Sequence, residues 1–205
     1  MTGNVLSMLD RVRLEKAATD AGFDVPQRDA LGGWMSFAST SSPLRISLTV
    51  VGAGPLAALS MANVLTELSL PASSHVAAPA GTAGVFVVSD FSELQAALAR
   101  AYELANALPT ALLEAWQAKV KSLPSTERDA TVRQRVGQDL FRKGLLALWQ
   151  GRCALTGLAV PELLRASHAK PWRDATDEER LDVFNGLLLT AHLDAAFDAG
   201  LISFS

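Results

Sequence analysis

Three short stretches near the end of the chain decide its fold: LRASHAKPW at 164–172, FNGLLL at 184–189 and HLDAAFD at 192–198. They hold two of the three histidines of the chain, His168 and His192, with Asn185 between them. A lone histidine is more often structural than functional. Two histidines and an asparagine in one short span, each with a distinctive flank, single out this region as the candidate site. The imidazole pKa lies near neutrality, so histidine suits both proton transfer and metal binding.

The bulk composition is that of an ordinary globular protein. The chain has 205 residues, 49% of them hydrophobic and 19% charged, which suffices for one large domain or two small ones. The single cysteine, Cys153, excludes an internal disulfide and a cysteine-cluster zinc site, and it fits a reducing compartment. No uninterrupted apolar run reaches about 18 residues, and no signal peptide pattern opens the chain. The sequence therefore predicts a cytoplasmic location.

Charge is distributed unevenly along the chain, although the net charge is only −3. Residues 128–173 carry 9 basic and 3 acidic groups, whereas residues 174–205 carry 1 basic and 7 acidic groups. A cationic block beside an acidic block is what a phosphate-binding surface next to a metal pocket would show. A solvated helix face followed by an acidic loop explains the same pattern, so charge alone leaves both readings open.

The patterning predicts an α+β fold in two domains. Residues 44–50 alternate apolar and polar, which predicts a strand with one dry and one wet face, and the apolar segment 56–68 is interpreted as a helix. A polar break at 124–130 places the boundary between a small α+β domain, residues 1–124, and a second domain, residues 131–205. The second domain opens with a long helix over 131–150. Its buried stripe is predicted to consist of Val132, Val136, Leu140, Leu145, Leu148 and Trp149.

The C-terminal pattern resembles the HNH endonucleases, specifically their cysteine-free branch. Members of that branch carry, in order, C-x-x-T-G, S-H-x-x-P-W, N-G-L-L-L and H-L-D-x-x-F-D. The first of these parts is CALTG at 153–157, and the preceding R-x-x-Q-x-x-F-R-x-x-L-L pattern stands at 135–146. The resemblance therefore covers about residues 131–204, and four parts in the right order make it specific.

The resemblance implies a finger of two antiparallel strands and one helix around a single metal ion. The first strand would end near 166–169, the second would be Gly186 to Thr190, and His192 would open the helix. Cutting a phosphodiester needs a base to deprotonate water and a cation to stabilise the charge on the leaving oxygen. By resemblance, His168 is the general base, Asn185 orients that base by pinning the connecting loop, and His192 is a metal ligand.

Two positions depart from the family pattern. Many relatives carry a metal-binding Asp or His directly before the catalytic histidine, where this chain has Ser167. Many also carry a second helix histidine where this chain has Ala196. The ion would then be held by His192 with Asp198 or Asp194 and water. Such an oxygen-rich shell favours one Mg²⁺ or Mn²⁺ per site over zinc.

The implied activity is divalent-metal-dependent cleavage of DNA, of restriction or defence type, with DNA as partner and no membrane. A homodimer is one option for the assembly. Residues 1–124 are hypothesised to select the substrate. Two alternatives stay open: a weak or inactive nucleic-acid-binding module, and an interbacterial DNase toxin. The candidate DNA contacts are Arg135, Arg142, Lys143, Arg165 and Lys170.

Overall fold

The computed structural model describes residues 6–27, 33–52, 54–73, 76–121 and 127–204. Its helices and strands form an α+β fold, as the sequence predicts. The chain divides into two compact units, Met1–Ala105 and Asn106–Ser205. This division differs from the boundary expected at residue 124, because helix α4 (Pro109–Val120) packs against elements of the second unit.

The first unit is built on a five-stranded antiparallel sheet within its described residues. The strands lie in chain order, and three helices accompany them. The elements are α1 (Met8–Asp20), β1 (Val25–Pro26), β2 (Met35–Ala38), β3 (Ile46–Val51), β4 (Gly54–Leu59), α2 (Ala62–Leu68), β5 (Gly84–Val87) and α3 (Phe91–Ala107).

Two expectations for this unit are wrong. The face of β3 expected to be wet is covered: Ser47 and Thr49 are 5% and 1% exposed, and their hydroxyls bond to Ser36 and to the Gly33 carbonyl. The predicted helix over 56–68 begins only at Ala62, because Gly54–Leu59 is a strand. A strand buried on both faces loses its alternation, so its apolar run cannot be told from a buried helix by period.

The second unit is a helical platform carrying one hairpin. Pro109 opens α4 at its first turn, where a missing N–H costs nothing. The hairpin strands pair antiparallel, with Leu164 opposite Thr190 and His168 opposite Gly186. The remaining elements of this unit are α5 (Glu127–Leu148), β6 (Leu164–His168), α6 (Asp177–Leu181), β7 (Gly186–Thr190) and α7 (Ala191–Asp198), with 3₁₀ turns at Pro161–Leu163, Trp172–Asp174 and Val183–Asn185.

Helix α5 supplies three of the buried side chains in the core beneath the hairpin. Its buried Leu140, Phe141 and Leu145 pack in one cluster with apolar side chains of both strands. Val132, expected in the buried stripe, is 38% exposed, and Phe141, which that stripe omitted, is 1% exposed. The buried face of α5 therefore includes Phe141 and leaves out Val132, while Leu140 and Leu145 are buried as expected.

Gly186 is a point at which the packing leaves no room for a side chain. A Cβ there would collide with the Phe141 ring and lie 2.9 Å from the Ser167 carbonyl oxygen. The backbone oxygen cannot move aside without breaking the β6–β7 ladder. The backbone of Gly186 is extended, a conformation that any residue can adopt. Glycine is therefore required here by the lack of space for a side chain, and not by the backbone conformation.

We expect Gly186→Ala to lower the free energy of unfolding by about 1–3 kcal/mol, as overpacking of a filled core does. Urea denaturation followed by circular dichroism measures the loss. Gly84→Ala in β5 is the matched control, since its Cβ would meet only the flexible tip of Leu65. Equal unfolding midpoints for the two variants would contradict the steric account.

Candidate active site

His168 ends β6 and makes one hydrogen bond that fixes its protonation pattern. Its Nε2 lies 3.0 Å from the backbone carbonyl oxygen of Arg180. A carbonyl oxygen can only accept, so Nε2 carries the hydrogen and Nδ1 keeps the lone pair. The ring is only half-buried, so it is oriented as a proton acceptor without being sealed from solvent.

Two aromatic rings hold the imidazole in place. Phe141 stacks on it with centroids 3.7 Å apart and planes 15° apart, and Trp172 meets it edge-on at 5.6 Å. Burial against these rings lowers the pKa of His168, and the hydrogen bond to the Arg180 carbonyl raises it by less. The net direction is downward, so the neutral imidazole prevails at neutral pH.

Asn185 ties together the two ends of the segment that supplies the Arg180 carbonyl. Its Oδ1 accepts from the Lys170 N–H at 3.0 Å, and its Nδ2 donates to the Glu179 carbonyl at 3.0 Å. Its own carbonyl accepts from the Ala169 N–H at 2.9 Å. Arg180 directly follows Glu179, so these bonds set the position of the oxygen that orients His168.

A capping box reinforces the same segment. The Thr176 side chain caps α6 while the Glu179 side chain returns to the Thr176 N–H. Lys170 Nζ lies 2.6 Å from Glu179 Oε2. The hydrogen bond from Lys170, helped by the Thr176 backbone, lowers the pKa of the Glu179 carboxyl. Lys170, expected to contact phosphate, is thus paired with a carboxylate here.

Helix α7 is tied to the hairpin through Asp194 rather than through His192. The buried Ser167 hydroxyl donates a short hydrogen bond to Asp194 Oδ1. His192 is exposed and has no hydrogen bond, ion pair or ring contact within the described residues. Ser167 therefore contacts Asp194 directly, and Asn185 acts on His168 through the Glu179–Arg180 backbone. Within the described residues, His192 takes part in neither arrangement.

The three metal donors expected on α7 do not share one face. In an α-helix, residues four apart lie about 40° apart around the axis and residues two apart about 200°. Asp194 and Asp198 thus lie on one side, and His192 on nearly the opposite side from Asp194. No cluster of three or more His, Cys, Asp or Glu side chains able to hold a metal exists in the described part of the chain.

Two carboxylates suit a hydrated hard cation. Mg²⁺ keeps several waters and commonly binds through one or two carboxylates together with substrate phosphate oxygens. Closed zinc sites require four side-chain ligands, a requirement that this donor set does not meet. The chemistry of Asp194 and Asp198 therefore fits magnesium or manganese.

The comparison with known families falls on this same region. Residues 153–205 match the family model of the HNH endonucleases. The match, hereafter the HNH segment, implies nuclease activity, a DNA substrate and a divalent metal ion, and it spans the last quarter of the chain. No curated protein matches the chain.

The cysteine-free branch named by resemblance is not supported, because the HNH segment begins at a cysteine. Burial raises the pKa of the Cys153 thiol, but hydrogen bonds from the Thr156 hydroxyl and from the backbone of Thr156, Leu155 and Thr190 outweigh it. The resulting pKa is about 7. Thr156 of the C-x-x-T-G motif is thus a partner of the cysteine.

The basic residues expected to contact DNA divide into two groups. Arg142 donates to the carbonyls of Leu164 and Pro161 at 2.7 and 2.8 Å, and Arg165 donates to those of Glu162 and Leu164. Arg142 therefore links α5 to the start of the hairpin through hydrogen bonds. Arg135 and Lys143 lie at exposed positions of α5, where their side chains are accessible to phosphate.

Two residues that shape the site were missed by the sequence analysis. Phe141, which stacks on His168, was omitted from the buried stripe of α5, although it stands in the R-x-x-Q-x-x-F-R pattern. Arg180 acts on His168 through its backbone carbonyl, which every residue type possesses. The first could have been found from the motif, and the second left no signal.

Among the helices that the structure describes, none combines the length and the apolarity needed to cross a bilayer.

We expect the pKa of His168 to lie below 6.5, its ordinary value. Because the folded state favours the neutral ring, the stabilisation that it contributes is present above pH 6.5 and is lost as the pH falls through the folded pKa. An NMR titration of the imidazole resonances measures this, and His168→Gln identifies the signal by removing it. Phe141→Leu should move the midpoint upward, since it hydrates the ring. A wild-type midpoint at or above 6.5 would refute the burial argument.

Proposed function

We propose that this protein is a divalent-metal-dependent DNA endonuclease of restriction or defence type. The observation that carries the proposal is the His168 imidazole, held neutral by burial and oriented by the Arg180 carbonyl at 3.0 Å. That hydrogen bond occupies Nε2 and leaves Nδ1 as the base. A general base of this kind contributes roughly 10²–10⁴-fold to a hydrolysis.

The reaction follows from that geometry. His168 Nδ1 takes a proton from water, the resulting hydroxide attacks phosphorus, and the bond from phosphorus to the 3′ oxygen breaks. The leaving 3′ oxygen takes a proton from solvent water, and His168 returns its proton to solvent, so the products are a 3′-hydroxyl and a 5′-phosphate. A bound cation supplies positive charge that stabilises the pentacovalent phosphorane and the leaving oxygen. Asn185 acts on His168 indirectly, by fixing the segment that contains the Arg180 carbonyl.

The donors proposed for the cation are Asp194 and Asp198, with His192 as the third donor predicted from sequence. Their places on α7 favour the two carboxylates, which lie one turn apart on one side of the helix. Ser167, which replaces the usual ligand of relatives, would hold Asp194 in position instead of binding the ion itself. Ser167 is the positioning residue of this arrangement.

A nucleic-acid-binding module that does not cut is the second candidate. It is favoured by the absence of a three-ligand metal cluster within the described residues. The two candidates differ in one measurable property, which is turnover of DNA in the presence of a divalent ion.

We expect His168→Ala to reduce nicking of supercoiled plasmid at least 100-fold in Mg²⁺ or Mn²⁺, as loss of a general base does. Binding to the same DNA in a gel-shift assay should persist, because the ring is not proposed to hold phosphate. Gln138→Ala, at an exposed position of α5, is the control. Full nicking by His168→Ala would remove the base assignment, and a wild-type protein that binds without nicking would favour the second candidate.

We expect Asp194→Asn to weaken Mn²⁺ binding about tenfold or more, measured without DNA by electron paramagnetic resonance. Ser167→Ala should weaken it by a similar order, since loss of a supporting bond typically costs 10- to 100-fold in metal affinity. His192→Ala is the discriminating variant. A larger loss for His192→Ala than for Asp194→Asn would return the ligand role to the histidine.

A further inference from the structure

A pocket of about 390 Å³ lies within the second unit, lined by parts of α4, α5, α6 and the 3₁₀ turn Trp172–Asp174. Two indoles, Trp116 and Trp172, form part of its lining together with Arg133, Arg180, Gln134 and Ala130. Its volume falls in the range of about 300–1,000 Å³ typical of small-molecule sites. None of its side chains is proposed to react with the phosphate, although Trp172 also packs against His168.

The two indoles are held in fixed positions. A Cβ at Gly137 of α5 would collide with the Trp172 ring and lie 3.4 Å from Trp116 Nε1, so glycine lets both indoles approach the helix. Trp116 Nε1 also donates to the Arg133 carbonyl at 3.2 Å. Both indoles are only partly buried. The pocket thus has rigid aromatic walls that remain partly accessible.

Two cationic groups and one carboxylate, Asp177, complete the lining. The Arg180 guanidinium lies 5.2 Å from the Trp172 ring centroid, and its Nε donates to the Trp172 carbonyl at 2.9 Å. Asp177 accepts from Arg180 Nη1 at 2.8 Å, which fixes the guanidinium plane. Indole and guanidinium faces together bind flat, electron-rich heteroaromatic rings, and proteins use this combination to stack unpaired bases.

The pocket adjoins His168. Trp172 contacts the imidazole edge-on at 5.6 Å, and Arg180 supplies the carbonyl to which Nε2 donates. A base seated in the pocket would therefore belong to a nucleotide near the phosphate that His168 faces. In a duplex the bases are stacked inside, so such a base must be extruded or come from a single strand.

We propose that this pocket binds one unstacked nucleobase of the nucleic acid on which the protein acts. The placement beside the cut rests on the proposed nuclease function, whereas binding of the base does not. A pocket that accepts a nucleobase would let the protein inspect one nucleotide while the adjacent phosphate lies at His168.

The probe is an oligodeoxynucleotide that carries 2-aminopurine, used as a single strand and as a duplex. Stacking on the indoles should quench its fluorescence when the wild-type protein binds. Ala130→Leu fills the pocket from an exposed lining position, and Gln138→Leu adds a leucine to an exposed position of the same helix outside it. Circular dichroism checks that both variants are folded.

We expect Ala130→Leu to abolish the quenching and to weaken binding roughly 5- to 100-fold, the effect of losing one stacked base. Gln138→Leu should behave as the wild type. A loss with the single strand alone assigns the base to unpaired DNA, and a loss with the duplex as well assigns it to an extruded base. Either result supports the pocket.

Equal binding and quenching by the two variants, or no binding of either probe by the wild type, would overturn the proposal. Plasmid nicking by the same preparations separates it from the proposed function. If Ala130→Leu abolishes quenching but the wild-type protein never nicks DNA, the pocket proposal stands and the proposed nuclease function is refuted. If the wild-type protein nicks DNA without such quenching, the nuclease function stands and the pocket proposal is refuted.

Discussion

The hydrogen bond between the His168 imidazole and the Arg180 carbonyl is the interaction on which the rest of the site depends. It selects one tautomer, and it does so with a backbone oxygen whose position is set by other residues. Asn185 closes the segment at both ends, and the Thr176–Glu179 capping box shapes its middle. A small set of backbone-directed bonds therefore determines how a single side chain presents its lone pair.

Packing and electrostatics act in the same direction at this histidine. Phe141 covers one face of the ring, which removes water and disfavours the charged form. The same phenylalanine fills the space above Gly186, on the strand opposite His168. The ring that sets the proton affinity of His168 is thus also a central piece of the core, so the chemistry of the site cannot be altered without disturbing the packing of the hairpin.

The hairpin was predicted well because the resemblance to the HNH endonucleases, which rests on short local motifs, implied it. β7 has the predicted bounds Gly186–Thr190, β6 ends at His168 within the expected 166–169, and α7 begins one residue before His192. β4 was mistaken for helix because all of Leu56–Leu59 is buried, which erases the period-2 signal. The relation between His192 and Asp194 needed the helix geometry and the Ser167 bond, which connects residues 27 positions apart in sequence. Contacts of that span leave no trace in a single sequence.

Helix α5 carries two buried glycines, Gly137 and Gly144, on the side that receives Trp172, Leu112 and Val183. Each glycine in a helix interior costs about 1 kcal/mol relative to alanine, so α5 on its own is a poor helix former. Packing against its partners offsets that cost, and the HNH segment in turn takes Phe141 and Leu145 of α5 into its core. Each piece therefore depends on the other for part of its buried contacts. A truncated chain that starts at Cys153, where the family match begins, would lack α5 and with it the side chains that complete the core of the HNH segment.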